Sequence, residues 1–138
     1  MTDTVPTADR TDPPLAAGER ATLDGFLDYH RATLAWKCAG LTGEQLASRP
    51  LPSTSLSLQG LVRHLTEVEG GWFRDILAGA DVPEPYSHED APDADLDETD
   101  PDRAEAELLA WQDEVARCRE AAAAYSDLTA PSARRSRR

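Results

Sequence analysis

The stretch SLQGLVRHLTEVE, residues 57–69, decides the fold class because its apolar side chains recur at steps of three and four. This period is typical of an amphipathic α-helix. Ser55 or Ser57 is predicted to cap the start of the helix. His64 lies at the edge of the apolar face, and Glu69 falls inside it, where an unpaired carboxylate would be costly. The predicted core residues of this helix are Leu58, Leu61, Val62, Leu65, Val68, Trp72 and Ile76.

A second long helix is predicted before this one. It begins near Glu19 and ends at Gly40, since glycine accepts the left-handed conformation at a helix end. Thr42, followed three residues later by Gln45, has the form of a capping box for a short helical turn. The predicted inner face of the long helix carries Leu23, Phe26, Leu27, His30, Leu34, Cys38 and Leu41.

A third long helix is predicted from Asp100 and Pro101, which are a good N-cap and a good first helical residue. Its apolar positions alternate steps of four and three, as in the seam of a helix bundle. No strand pattern competes with the helical period, so the sequence predicts an all-α bundle with three long helices. The seam comprises Ala104, Leu108, Trp111, Val115, Cys118, Ala122 and Tyr125.

The chain divides by composition into three parts. Residues 1–18 are polar and contain proline, which predicts a flexible segment. Residues 19–125 form the helical domain, and within it the acidic, proline-rich residues 81–100 predict a long surface connection. Residues 126–138 combine serine, alanine and arginine, which predicts a disordered basic tail.

Charge and composition exclude several classes of function. The 138 residues carry a net charge of -12, and phosphate recognition depends on lysine and arginine, so nucleic acid is not an expected partner. No apolar run approaches the roughly 18 residues that span a bilayer, and the first residues lack a signal-peptide core. Cys38 and Cys118 make no disulfide framework. We therefore expect a cytoplasmic protein without a membrane partner.

Two groups of motifs give the chain a resemblance to the DinB-like superfamily, and in particular to its actinobacterial mini-circle protein branch. The resemblance covers roughly residues 19 to 125 and depends on all of the motifs in register. The first group is ERATL (19–23), FLDY (26–29), LAWK (34–37) and GLT (40–42), and the second is SL (57–58), LVRHL (61–65), VE (68–69) and WFR (72–74).

The resemblance implies an up-down four-helix bundle that binds a divalent metal through three side chains. His64 occupies the place of the ligand from the second helix. The other two ligands would be histidines spaced as His-x-x-x-His on a fourth helix, and this chain supplies neither that motif nor that helix. The resemblance also implies thiol chemistry, since some relatives use mycothiol in isomerase, transferase or amide-cleaving reactions. The expectation for this chain is thus an incomplete metal site and an inactive or truncated relative of such enzymes.

The chain itself offers one way to complete a metal site. Imidazole is a good ligand for zinc, nickel or iron, and His30 is predicted at a height similar to that of His64 in an antiparallel helix pair. Glu69 would add a carboxylate to these two histidines, and Glu67 is an alternative source. The competing interpretation, favoured by the chemistry of buried polar groups, is that His30 and Glu69 satisfy each other or a water molecule.

Three functions stay open at the level of sequence. The first is a metal-dependent thiol transferase or hydrolase, whose partners are a small-molecule thiol and an electrophile. The second is a non-catalytic helical protein that forms a homodimer. Its interface would comprise Tyr29, Trp36 and the surface left exposed by the absent fourth helix. The third is a remnant without activity, in which the arginine-rich end arises from a frameshift.

Overall fold

A computed structural model describes residues 10–135 of the chain. The predicted all-α class is confirmed, since the described residues contain helices and no strand beyond a single bridge between His88 and Ala91. None of the described helices is long and apolar enough to cross a membrane. The elements are α1 (Glu19–Cys38), α2 (Gly43–Ala47), α3 (Leu58–Glu69), a π-helix (Gly70–Leu77), α4 (Ala94–Asp97), a 3₁₀ turn (Pro101–Arg103) and α5 (Ala104–Ala123).

The helix ends follow the local signals in the sequence. The Thr42 hydroxyl accepts from the Gln45 amide at 3.2 Å, and the Gln45 side-chain oxygen accepts from the Thr42 amide at 2.9 Å, which completes the predicted capping box. Ser57 caps α3 by accepting from the Gly60 amide at 2.9 Å. Asp100 caps the 3₁₀ turn that leads into α5. These bonds satisfy amide groups that a helix start otherwise leaves unpaired.

The described residues form two compact units, with the boundary between Leu41 and Thr42. In the first unit, the Arg10 guanidinium lies 4.7 Å from the ring centroids of both Tyr29 and Trp36. It also donates to the Tyr29 hydroxyl at 2.9 Å and to the Thr33 hydroxyl at 3.1 Å. The aromatic strip on α1 that the sequence indicated therefore packs against an arginine of its own unit.

The predicted inner face of α1 is only partly buried. Leu23 and Phe26 are about half exposed, at 54% and 51%, and His30 is exposed as well. Arg31 and Cys38 are the buried residues of this helix. The prediction that His30 lies within a buried stripe is therefore wrong, because α1 is the only helix in the described part of its unit and no second helix of that unit covers this face.

The second unit is built on α3 and α5. These two helices pack against each other, and α4 and the π-helix pack against α3. The seam predicted for α5 is buried at its centre, where Trp111, Val115 and Cys118 are each at most 5% exposed. The other buried apolar residues of this unit are Leu46 from α2, Val62 from α3, Ala94 and Ala104.

The buried face of α3 differs from the predicted one. Val62 is buried, but most of its apolar neighbours are only half buried and Trp72 is exposed. The side chains that turn inward are polar, and each has a partner that offsets the cost of burial. They are Gln59, Arg63, Thr66 and Glu69.

Candidate functional site

His64 lies on α3 with one ring nitrogen fixed. Its Nδ1 is 2.6 Å from Oδ2 of Asp95, a residue that is 4% exposed, whereas the His64 side chain is 44% exposed. Oδ1 of Asp95 accepts from the Leu96 amide at 2.9 Å, which fixes the carboxylate in turn. A carboxylate on Nδ1 selects the tautomer and orientation of an imidazole, so Nε2 is the nitrogen that remains for a proton or a ligand.

Arg63 of α3 binds the backbone of α4 and so holds Asp95 beside His64. It donates from Nε to the Asp95 carbonyl at 2.7 Å and from Nη2 to the Ala94 carbonyl at 2.9 Å. Gly60 lets α4 approach α3 closely, because a Cβ at this position would lie 3.0 Å from the Leu96 carbonyl oxygen. The short helix α4 is therefore held against α3 directly beside His64.

A buried ion pair anchors Arg63 itself. Its Nη1 donates to Oε1 of Glu107 on α5 at 2.7 Å, and Gln59 donates to Oε2 of the same carboxylate at 2.7 Å. Gln59 also donates to the Asp100 carbonyl at 2.7 Å. The network joins α3, α4 and α5, so the position of the Asp95 carboxylate depends on contacts across the whole second unit.

A cavity of about 800 Å³ opens beside His64. Asp95 and Leu96 lie on one side of it, and the π-helix contributes Trp72 and Arg74. Other lining groups come from residues 81–93, from Glu114 of α5 and from the C-terminal segment. The volume lies within the range of pockets that hold small organic ligands.

The π-helix, which forms one wall of the cavity, is held in place by an ion pair with α5. Arg74 Nη1 donates to both carboxylate oxygens of Glu114, at 2.7 and 2.8 Å. Glu114 can approach because residue 70 is glycine: a Cβ there would lie 2.9 Å from Glu114 Oε1. π-Helical turns are frequent at functional sites, and this one forms a wall of the cavity.

Residues 81–87 of the proline-rich connection form another wall of the cavity and are tied to α3 by Glu67. The Glu67 carboxylate accepts from the Tyr86 amide at 2.8 Å, from the Ser87 amide at 2.6 Å and from the Ser87 hydroxyl at 2.8 Å. The Arg63 guanidinium lies 4.3 Å from the Tyr86 ring centroid. Burial, and to a smaller extent the nearby Glu107 carboxylate, raises the pKa of Tyr86 above its ordinary value, so this phenol is neutral near pH 7.

The C-terminal segment reaches the end of the π-helix. The amides of Ala133 and Arg134 donate to the carbonyls of Leu77 and Ile76, at 3.1 and 3.0 Å. The Arg134 guanidinium also pairs with Asp75 at 3.2 Å. Part of the predicted basic tail thus satisfies carbonyl groups at a helix end and lines the cavity.

The predicted site residues have different surroundings. His64 lines the cavity, whereas His30 lies in the first unit with its ring 5.8 Å from that of Tyr29. Glu69 is buried, and Glu67 is bonded to Tyr86 and Ser87. Within residues 10–135 no three His, Cys, Asp or Glu side chains are grouped so that they could hold a metal ion.

Asp95 is the site residue that the sequence did not reveal. It is one of many acids in residues 81–100, a segment without helical or strand period, and nothing in its local pattern distinguishes it. Cys38 and Cys118 are buried free thiols, as expected of small core residues. His88 is exposed within the acidic segment.

Comparison with known proteins gives one match. A family model described as mycothiol-S-transferase matches residues 22–138. No curated protein and no solved structure matches the chain.

Proposed function

The chain belongs to the mycothiol-S-transferase family, and from this premise we propose that the cavity beside His64 binds a mycothiol-type thiol and an electrophilic acceptor and joins the thiol to the acceptor through its sulfur. The observation that carries the proposal is the 2.6 Å contact between His64 Nδ1 and Asp95 Oδ2 at the edge of the cavity. An imidazole oriented by a carboxylate has the arrangement of a general base.

The proposed reaction begins with proton transfer from the thiol to Nε2 of His64. The resulting imidazolium donates from Nδ1 to Asp95, whose carboxylate balances the new positive charge. The thiolate then attacks an electrophilic carbon of the acceptor, so that a carbon–sulfur bond forms and the bond to the leaving group breaks with its electron pair. His64 then gives its proton to a basic leaving group, or to water when the leaving group is chloride, which restores the neutral imidazole.

A divalent metal is implied by the family resemblance, and it would polarise the thiol and favour its thiolate form. The donors available in residues 10–135 do not fit a three-ligand site. His64 would be a single ligand, the Asp95 carboxylate contacts its Nδ1, and no third donor joins them. We therefore assign no step to a metal, and the proton transfer is carried by this chain's own residues.

A second candidate function is a helical homodimer without catalysis. The supporting observation is the exposure of Leu23 and Phe26 on α1 beside a groove of about 420 Å³, which is lined by Pro13, Pro14 and Leu15 among others. Apolar surface of this kind is typical of interaction sites. Both cysteines are free, which supports our placing either function in the reducing cytoplasm.

The test uses purified protein with mycothiol and monochlorobimane, and it measures thioether formation together with molar mass by light scattering. We expect His64→Ala to lower kcat/KM by about 100-fold or more, and Asp95→Asn to lower it by at least about tenfold, because each removes part of the base. His88→Ala is the matched control and should retain activity, since His88 does not line the cavity.

Transfer by His64→Ala at the wild-type rate would refute the role of His64. A stable dimer without transfer activity would favour the second candidate.

A further inference from the structure

Glu67 is a charged residue of α3 that the proposed proton transfer does not use. It follows His64 by three residues, so both lie on the same face of the helix, and both line the cavity. Its carboxylate accepts three hydrogen bonds of 2.6–2.8 Å, all from Tyr86 and Ser87 in the segment 81–87. Bonds to an ionised acceptor are about twice as strong as bonds between neutral groups.

The wall that these bonds hold has little regular structure of its own. Residues 81–93 contain no helix or strand, only the bridge between His88 and Ala91. Val82, Pro83 and Pro85 nevertheless face the cavity. A segment with so few internal hydrogen bonds takes its position largely from its ties to neighbouring elements, and two of the three bonds to Glu67 come from its backbone.

We propose that Glu67 is a positioning residue that fixes the wall formed by residues 81–87 and thereby sets the shape of the acceptor-binding part of the cavity. This inference rests on the proposed transfer function. Glu67 acts on the acceptor through the wall and takes no part in the proton transfer.

The test compares Glu67→Gln and Ser87→Ala with wild type in two measurements. Hydrogen exchange followed by mass spectrometry reports the amides of Tyr86 and Ser87, and steady-state kinetics with mycothiol and monochlorobimane gives KM and kcat separately. For Glu67→Gln we expect exchange faster by about tenfold and KM for monochlorobimane higher by about fivefold, with kcat within about twofold of wild type. Ser87→Ala removes one of the three bonds and should change both quantities less, in the same direction.

Glu89→Gln is the matched control, because it removes the same charge from an exposed site in the same segment outside the cavity. It should behave as wild type in both measurements. Unchanged exchange in Glu67→Gln, or faster exchange with unchanged KM, would overturn the inference while leaving the transfer function intact. A loss of kcat without faster exchange would also overturn it, since that result indicates a direct chemical role. A wild-type protein without transfer activity would remove the proposed function, and the inference with it.

Discussion

Arg63, His64 and Glu67 lie within little more than one turn of α3, yet their surroundings give them different tasks. Arg63 is buried and its guanidinium binds two carbonyls, a carboxylate and an aromatic face. His64 is the half-exposed member and has a carboxylate on one nitrogen. Glu67 holds a loop. One helix therefore supplies the histidine of the proposed site together with two residues whose contacts fix its surroundings.

The ion pair between Arg63 and Glu107 should be essential for stability. Both side chains are less than a tenth exposed, so Arg63→Met would leave an uncompensated buried carboxylate. We expect the free energy of unfolding in urea to fall by about 3–5 kcal/mol. Arg20→Met is the matched control, because the Arg20–Asp24 pair is largely exposed and should contribute less than about 1 kcal/mol.

The double variant Arg63→Met with Glu107→Leu separates the cost of the unpaired Glu107 charge from the loss of the other contacts that Arg63 makes. If the loss comes from the unpaired charge, the double variant should recover a large part of the stability. A single variant that unfolds at the wild-type urea concentration would contradict the prediction.

At the level of elements, the transition from α3 to the π-helix depends on two adjacent glycines with different surroundings. A Cβ on Gly70 would meet the Glu114 carboxylate at 2.9 Å, whereas a Cβ on Gly71 would meet nothing within 4 Å. Gly70 therefore permits the close approach of α5, and with it the contact between Glu114 and Arg74. Gly71 has no such constraint from its neighbours.

These two glycines give a prediction with an internal control. Gly70→Ala should lower the free energy of unfolding by about 1–3 kcal/mol, because the new methyl group displaces a buried carboxylate that has its own partners. Gly71→Ala should be neutral or stabilising by about 0.5–1 kcal/mol, since alanine restricts the unfolded chain and favours helix. Thermal and urea unfolding followed by circular dichroism measure both changes. Equal effects of the two substitutions would show that packing against Glu114 is unimportant.

The sequence predicts elements well where their signals are local. The Thr42–Gln45 capping box, the Ser57 cap and the Asp100–Pro101 start each depend on residues within one turn, and each is confirmed. The inward face of α3 was predicted incorrectly because the two long polar side chains Gln59 and Arg63 turn inward to partners far along the chain, such as Glu107. The spacing of apolar residues along the sequence carries no information about such long-range pairs.

In the candidate site too, the residue with a local signal was predicted and its distant partner was not. His64 was identifiable from its place in a motif, and the predicted relation to mycothiol-dependent transferases is confirmed by the family match. Its partner Asp95 lies 31 residues further on, in a segment without period, and is held against α3 by contacts that include Arg63 and the close approach at Gly60. The metal, the fourth helix and the DinB-like branch stay predictions.

On the scale of the whole molecule, the two compact units differ in how they are built. The second unit has several packed helices and a buried network. The described part of the first unit has one helix of 20 residues, with Arg10 packed on its aromatic strip. Most helical stability in proteins comes from tertiary packing, and the described part of the first unit has no second helix of its own, so the first unit should open at a lower free energy than the second.

Each unit carries one buried cysteine, which makes the difference measurable. Burial raises the pKa of Cys38 from its ordinary value of 9.0 to about 11, so at pH 8 only about 0.1% of this thiol is ionised in the folded state. Its folded pKa is raised, so the stability it contributes is present below pH 9 and is lost as the pH rises towards 11. Labelling of Cys38 at pH 8 therefore reports opening of the first unit.

We expect iodoacetamide at pH 8 to label Cys38 at lower urea concentrations than Cys118, with the two sites resolved by mass spectrometry of peptides. Cys118 is 0% exposed on the central seam of α5, so its labelling should follow unfolding of the second unit. The variants Cys38→Ala and Cys118→Ala confirm the assignment of each signal. Coincident labelling curves would contradict the prediction, because they would show that the two units unfold as one cooperative structure.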